Sequence, residues 1–523
     1  MTLNRADKLF INGVILTQDH RSDLATQLAI RGKHILDVGT DLTSLKGSHT
    51  EIIDLNGRVV TPGFIDAHVH FLWGGETLLS IPVAKADSRA AFIQIVKQFA
   101  EGRSSGSWLK GGGWNEHHFT DNSFPHRSWL DEAAPGHPML LTRHDGHSGV
   151  ASSAALAQAG ITAATPDPPG GVIDRDEQGD PTGILRDGAM DLVFSKTPEV
   201  SEQELLQNLE ASQTYLLARG ITSVGDMIYD IRHFHFLQKM AREGKLKVRV
   251  TAYAPILKWP EIKDLVNTGI YEDEYFQFKG LKAFCDGSLG SHTALMFQPY
   301  ADDPQSVGIY DNDWQDIELV KTYMGEADRM GYQTLVHAIG DRAVHEVLNT
   351  FAEVIHLNGS RDRRFRVEHA QHIHPQDQGR FGSLGVIASM QPSHCVDDAL
   401  YAEKLLGDRC EYAYPFKALQ AAKAVIAYGS DWPVSPADPI QTIHSGIHRG
   451  GWYMEQAMGL DEAILAHTFL AAHAGFREHD LGMLRAGYLA DLVVLDPDFQ
   501  HLDSVDELPQ NLVKAVYMDG EKK

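Results

Sequence analysis

Short apolar stretches separated by turn residues open the chain. Lys8-Leu9-Phe10-Ile11 runs into Asn12-Gly13, a pair that favours the left-handed backbone of a tight turn and predicts a hairpin there. Gln27-Leu28-Ala29-Ile30 followed by Arg31-Gly32-Lys33 repeats the scheme, and 34–39 and 51–55 read as further strands. This N-terminal β unit, residues 1–60, is too short to bury a core alone. Similar stretches close the chain, at 489–495 and at 513–520, which reads as a last hairpin. Residues 1–60 and 476–523 are therefore expected to form one small β-sandwich built from both termini, with the remaining chain inserted in it.

From residue 220 the pattern changes. Strand-like segments at 220–226, 247–253, 280–286, 333–338, 365–369, 385–390 and 424–431 alternate with helix-compatible stretches such as 314–330 and 341–356. With the apolar run at 61–70 they make eight strands. Eight strands alternating with helices predict an α/β fold of the (β/α)8 TIM-barrel type over 61–475. A long insertion, about 75–215, follows the first barrel strand and is expected to close over the barrel mouth like a lid. It carries helical patterns at 89–101 and 202–219, while 165–183 is rich in Pro, Gly and Asp and reads as loop.

Composition narrows the function classes. The hydrophobic fraction of 43% and charged fraction of 22% are those of an ordinary globular protein. A net charge of −24 argues against nucleic acid as partner, because phosphate binding needs concentrated Lys and Arg. Only Cys285, Cys395 and Cys410 are present, which fits a reducing compartment rather than a disulfide framework. The polar start and the lack of a long apolar run predict a cytoplasmic protein without a membrane span.

The chemistry is concentrated at strand ends. In Thr61-Pro62-Gly63-Phe64-Ile65-Asp66-Ala67-His68-Val69-His70, alternation places Asp66, His68 and His70 on one face. The chain has 27 histidines, so a His-x-His pair alone is a modest signal. The later strands strengthen it, with Lys282 on the fourth, His337 on the fifth, His369 on the sixth and Asp431 on the eighth. Each has a plain alternative: His337 as a helix cap, Asp431 as an N-cap, Lys282 as an ion-pair partner. Their joint order along one barrel favours a metal centre. Neutral imidazole and carboxylate suit Zn²⁺ and similar divalent ions.

These residues, with Pro62–His70, Asp286-Gly287-Ser288-Leu289-Gly290-Ser291, Val386-Ile387-Ala388-Ser389-Met390-Gln391-Pro392, Gly429-Ser430-Asp431 and the closing stretch 487–496, resemble the amidohydrolase superfamily over nearly the whole chain. The likeness is greatest to the branch called amidohydrolase family 3, which includes N-substituted formamide deformylases. It implies that His68, His70 and Asp431 hold one metal ion, and that His337 and His369 hold a second where two are bound. Lys282 would bridge them after N6-carboxylation, since an ammonium has no acceptor. Bound metal lowers the pKa of water to about 7, and the hydroxide attacks a carbonyl. Asp431 would serve as general base and then acid. Asp66 is placed either to orient a histidine or to make a structural hydrogen bond.

Within the insertion, Trp114, His117, His118, Asp145 and His147 are candidate substrate contacts, although Trp114 reads more simply as a hydrophobic anchor. Asp286, His292, His394 and Trp432 are further candidates near the barrel mouth. His292 stands where the family commonly has Arg, and Trp432 where it commonly has a small residue. Cys285 alternates away from Lys282 and reads as packing. The expected activity is hydrolysis of a non-peptide carbon–nitrogen bond in an amide, formamide or carbamate-like small molecule. A deaminase or ester hydrolase on the same centre is the alternative, and a non-catalytic scaffold ranks last. The partner is a small-molecule substrate; homo-oligomerisation is left open by the sequence.

Overall fold

The computed structural model describes residues 5–19, 25–119, 123–143, 148–168 and 170–523. The chain divides into two compact units, Met1–Phe71 with Ser212–Lys523, and Leu72–Ala211.

The larger unit contains an eight-stranded parallel sheet. Its strands are β1 (Phe64–Val69), β2 (Ile221–Met227), β3 (Arg249–Pro255), β4 (Phe276–Phe284), β5 (Gln333–Ala338), β6 (Arg366–His369), β7 (Ile387–Met390) and β8 (Ile426–Tyr428). Each pairs in parallel with the next in chain order. Every residue of β1, β2, β6, β7 and β8 is buried, as expected of parallel strands covered on both faces. That is why they read as apolar runs rather than as alternating patterns. Helices Ile317–Arg329 and Asp341–Asn358 flank β5 and account for the helical periodicity there.

The sheet curls until β8 meets β1. A parallel bridge joins Val69 to Trp432. The Asp431 amide donates to the His68 carbonyl at 2.8 Å, and the His70 amide to the Trp432 carbonyl at 2.8 Å. Asp66 works at the same seam: its Oδ1 accepts from the Ser430 amide at 2.9 Å and the His68 amide at 3.3 Å. Asp66 therefore ties β1 to the chain leaving β8, and these contacts are to main chain rather than to an imidazole. Gly429 lets the two backbones approach, since a Cβ there would lie 2.7 Å from the His68 nitrogen and 2.8 Å from its Cβ. Gly429→Ala is expected to cost about 1–3 kcal/mol through overpacking. A thermal melt of the variant beside the wild type checks this, and an unchanged melt would remove the seam from the account.

Both chain ends enter one five-stranded sheet, ordered Val14–Ile15, Val59–Pro62, Leu492–Leu495, Val513–Met518 and Glu521–Lys522. A four-stranded sheet takes His34–Gly39, Gln27–Arg31, Lys8–Ile11 and Glu51–Asp54. Phe10, Leu28, Ile30, Val60, Leu492 and Val494 share one buried cluster. The Asn12-Gly13 turn is not the hairpin its sequence predicts. Lys8–Ile11 and Val14–Ile15 lie in different sheets, and the turn carries the chain from one to the other. Asn12 takes the left-handed conformation, φ 56°. Gly13 is held to glycine by packing, because a Cβ would meet Leu55 Cδ1 at 2.3 Å.

The smaller unit has its own five-stranded sheet, ordered Gly171–Arg175, Pro181–Asp187, Ser148–Ala151, Met139–Arg143 and Leu109–Trp114. Its core packs Phe92 and Val96 of helix Arg89–Ala100 with Trp114, Trp129, Leu130 and Val150. Residues 165–183, expected as loop, contain most of an antiparallel hairpin. Asp176 explains it: its Oδ1 accepts from the amides of Gln178 and Asp180, and Gly179 supplies φ 87°, so the polar residues build the turn instead of a loop. Among the described residues, no helix is long and apolar enough to cross a membrane.

Candidate metal centre

The C-terminal ends of the barrel strands bring the sequence-predicted ligands together. His68 lies on β1 with His70 just beyond it, Lys282 on β4, His337 on β5, His369 at the end of β6, and Asp431 past β8. Six rings follow one another around the mouth: His70, Tyr229, Phe284, His337, His369 and His68. Their successive centroid separations are 4.4, 5.7, 5.4, 4.4 and 5.0 Å, and the circuit closes from His68 to His70 at 5.6 Å. His68 and His337 thus flank the same ring, that of His369.

The hydrogen bonds assign the imidazole nitrogens. His68 Nδ1 donates to Glu368 Oε2. His70 Nδ1 donates to the Met227 carbonyl at 2.8 Å. His369 Nδ1 donates to Gln391 Oε1 at 2.9 Å, and His337 Nε2 donates to the Gly287 carbonyl at 3.1 Å. In each neutral ring the other nitrogen carries the lone pair. For His68 and His70 that nitrogen is Nε2, and both face Asp431 Oδ1, at 3.3 and 3.1 Å. Three acceptor atoms therefore converge on one buried spot, and the Tyr229 hydroxyl donates to one of them, His70 Nε2, at 3.3 Å. That donor set fits a cation.

Charge and burial keep the ligands competent. Burial pushes His68 down to about 4, and the Lys282 charge adds to it, against Glu368 and Asp431. Burial and Lys282 hold His337 down to about 3. Burial opposes ionisation of Asp431, yet the neighbouring His68, His70 and His369 hold it well below the ordinary carboxylate range. Neutral imidazoles and an ionised carboxylate are the forms a metal needs. Burial also lowers Lys282 to about 8. Its Nζ lies 4.7 Å from the Phe284 ring centroid and has no hydrogen-bond partner among the described residues.

The other sequence candidates divide between the edge of this site and positions away from it. Asp286 Oδ1 accepts from the Ile339 amide at 3.0 Å and its Oδ2 from the amides of Leu295 and Gly340 at 2.8 and 2.9 Å, and Oδ1 also lies 3.6 Å from His337 Nε2, so it braces the loops around β4 and β5 at the edge of the site. His292 pairs with Asp302 at 3.0 Å. Trp432 is buried and stacks on Tyr215, centroids 5.1 Å apart. Trp114 is buried in the core of the smaller unit and donates to the Leu141 carbonyl at 2.7 Å; His117 and His118 are exposed in that unit. Asp145 and His147 lie outside the described residues. His394 joins the ligand cluster, with donor atoms of His369, His394 and Asp431 within 4.8 Å of one another. Cys285 is buried, and its thiol is pushed well above its ordinary range by burial first and Asp286 second, which suits packing rather than nucleophilic attack.

Four contributors escape the sequence reading: Glu368, Gln391, Tyr229 and the Met227 carbonyl. Alternation would send Glu368 to the face opposite His369. The structure puts both inward because His369 leaves the strand in the left-handed conformation, φ 69°. Asp431 does the same at φ 61°. An Arg-x-Glu pattern, Arg366 and Glu368, on a strand with no polar outer face was the available signal: Arg366 Nε donates to Glu368 Oε1 at 2.7 Å in the barrel interior.

The amidohydrolase family matches residues 51–522. The chain is 37% identical to the protein LONG AFTER FAR-RED 3 of Arabidopsis thaliana, over 99% of this chain and 91% of that one. It is 27% identical to the N-substituted formamide deformylase of Arthrobacter pascens, over 98% and 97% of the two chains. An uncharacterized metal-dependent hydrolase from Pyrococcus furiosus superposes with a TM-score of 0.80 at 28% identity, covering 94% of this chain and 99% of that one. The buried convergence of His68, His70 and Asp431 at the strand ends is thus set in a chain that belongs to the amidohydrolase family.

Proposed function

We propose that the protein hydrolyses a non-peptide carbon–nitrogen bond of a small molecule, an amide, formamide or carbamate-like group, with a divalent cation, zinc, held by His68, His70 and Asp431. The observation that carries this reading is the meeting of two imidazole lone pairs with Asp431 Oδ1 in a buried position. Likeness along nearly the full chain to a formamide deformylase supports the bond class. A bound divalent cation supplies Lewis acidity that brings the pKa of its water to about 7.

The chain's own groups do the remaining work. The Met227 carbonyl and Glu368 hold the two imidazoles in orientation. Asp431, kept ionised by its neighbours, takes the proton of the attacking water and delivers it to the departing nitrogen. Tyr229 is 54% exposed and stacks on His70, so it offers an aromatic surface where substrate approaches. The three cysteines are unpaired and buried, in keeping with a reducing, cytoplasmic setting.

A panel of N-substituted formamides, amides and carbamates, with esters and amino-heterocycles as comparison arms, tests the bond class by which product forms. Dialysis against a chelator is expected to abolish turnover and Zn²⁺ to restore it. Turnover that survives full removal of metal, or release of product from the ester or heterocycle arm alone, would overturn the proposal.

A further inference from the structure

Helix Glu202–Leu217 carries the chain back to the barrel, and its residues from Ser212 onward belong to the larger unit. Ser212 and Tyr215 lie three residues apart and so share one face of that helix. Ser212 Oγ is buried and donates to the Phe71 carbonyl at 2.7 Å. The Tyr215 ring stacks on Trp432 with 6° between the ring planes. Phe71 directly follows His70, and Trp432 directly follows Asp431. Two side chains one turn apart thus hold the residue next to each of two candidate ligands.

Other contacts pin the same two residues. The Phe71 amide donates to Asp226 Oδ1 at 2.9 Å, so Phe71 is fixed at its amide by β2 and at its carbonyl by the helix. The Trp432 carbonyl accepts from the His70 amide at 2.8 Å. A shift of Trp432 would therefore reach Asp431 through the chain and His70 through this bond. Asp431 sits at φ 61°, a backbone state that persists in a residue with a side chain only where its surroundings enforce it. The separation of 3.1 Å between His70 Nε2 and Asp431 Oδ1 depends on both backbones staying in place.

We propose that Ser212 and Tyr215 are positioning residues of the metal centre. Through Phe71 and Trp432 they hold the backbone beside His70 and Asp431, and so keep the two donor atoms at the spacing one cation needs. The inference rests on the metal reading of the site given above.

Zinc dissociation constants of the full chain, measured by competition with a chromophoric chelator, test it. Ser212→Ala and Tyr215→Leu are each expected to weaken zinc binding about tenfold. Tyr215→Phe keeps the stacking ring and is expected to bind zinc as the wild type does. Gln213 supplies the control: it is buried between the two on the same helix, and it accepts from the Lys247 amide and donates to the Lys245 carbonyl. Gln213→Ala is expected to lower the melting temperature and leave the zinc constant unchanged. Near-UV circular dichroism establishes that each variant is folded. Wild-type zinc binding in Ser212→Ala and Tyr215→Leu, or equal weakening in Gln213→Ala, would overturn the inference and leave the helix a structural role alone. Weakening in Tyr215→Phe equal to that in Tyr215→Leu would overturn the assignment of the stack. A wild type that binds no zinc overturns the metal reading itself.

Discussion

Asp431→Asn is expected to lower kcat/KM by about a thousandfold or more on any substrate the panel identifies. The asparagine keeps the size and shape of the side chain and removes its charge and its basicity. Loss of a general acid–base alone accounts for about 10²–10⁴-fold. Asp431 also faces the Nε2 atoms of His68 and His70 at 3.3 and 3.1 Å, so a neutral amide at that point weakens cation binding too. The two contributions separate by experiment: zinc content at saturating metal reports the ligand role, and the residual rate of fully loaded protein reports the proton-transfer role. A loaded variant with near-normal turnover would remove Asp431 from the chemistry.

Glu368→Ala is expected to have the largest effect on stability. Glu368 is fully buried and accepts from Arg366 Nε at 2.7 Å, from an Arg366 terminal nitrogen at 3.1 Å and from His68 Nδ1. Burial alone would raise this carboxyl, but Arg366 and His68 outweigh it and hold it below the usual carboxylate range. Removing the carboxylate leaves the Arg366 guanidinium charged inside the barrel, at a cost of about 3–5 kcal/mol. It also frees the His68 ring to turn, which lowers metal affinity by about 10–100-fold. Arg366 keeps bonds to the Ala67 carbonyl and Ser389 Oγ, both at 2.8 Å, so the arginine is not left wholly unsatisfied. Replacing both residues, Arg366→Met with Glu368→Ala, is expected to recover much of the stability but not the metal affinity. Denaturation of the metal-free proteins and a competition titration with a zinc chelator measure the two effects. Equal loss of metal affinity and stability in the single variant, both recovered in the double, would show that His68 needs no such partner.

Legibility of the site from sequence followed local geometry. His68 and His70 were readable as a His-x-His pair at the end of an apolar run, although the pairing of β1 with β2 shifts register between Asp66 and Val69. Lys282 and His337 were readable because β4 and β5 are regular at those positions. The period fails where the chain turns left-handed, at His369 and Asp431, and the inward placing of Glu368 beside His369 was lost with it. The Asn12-Gly13 turn was misread for a related reason. The dipeptide favours a left-handed turn in any setting, but which sheet receives the next strand depends on partners such as Val59 and Val60, far along the chain.

The order of amino acids by itself determined the eight buried strands and the kinds of donor atom at their ends, because periodicity and side-chain chemistry are local properties. Tertiary structure alone decided that Asp431 faces both imidazoles of β1, that Glu368 and the Met227 carbonyl set their tautomers, and that His394 reaches the same carboxylate. Those relations arise only when β8 closes on β1 and brings together residues hundreds of positions apart.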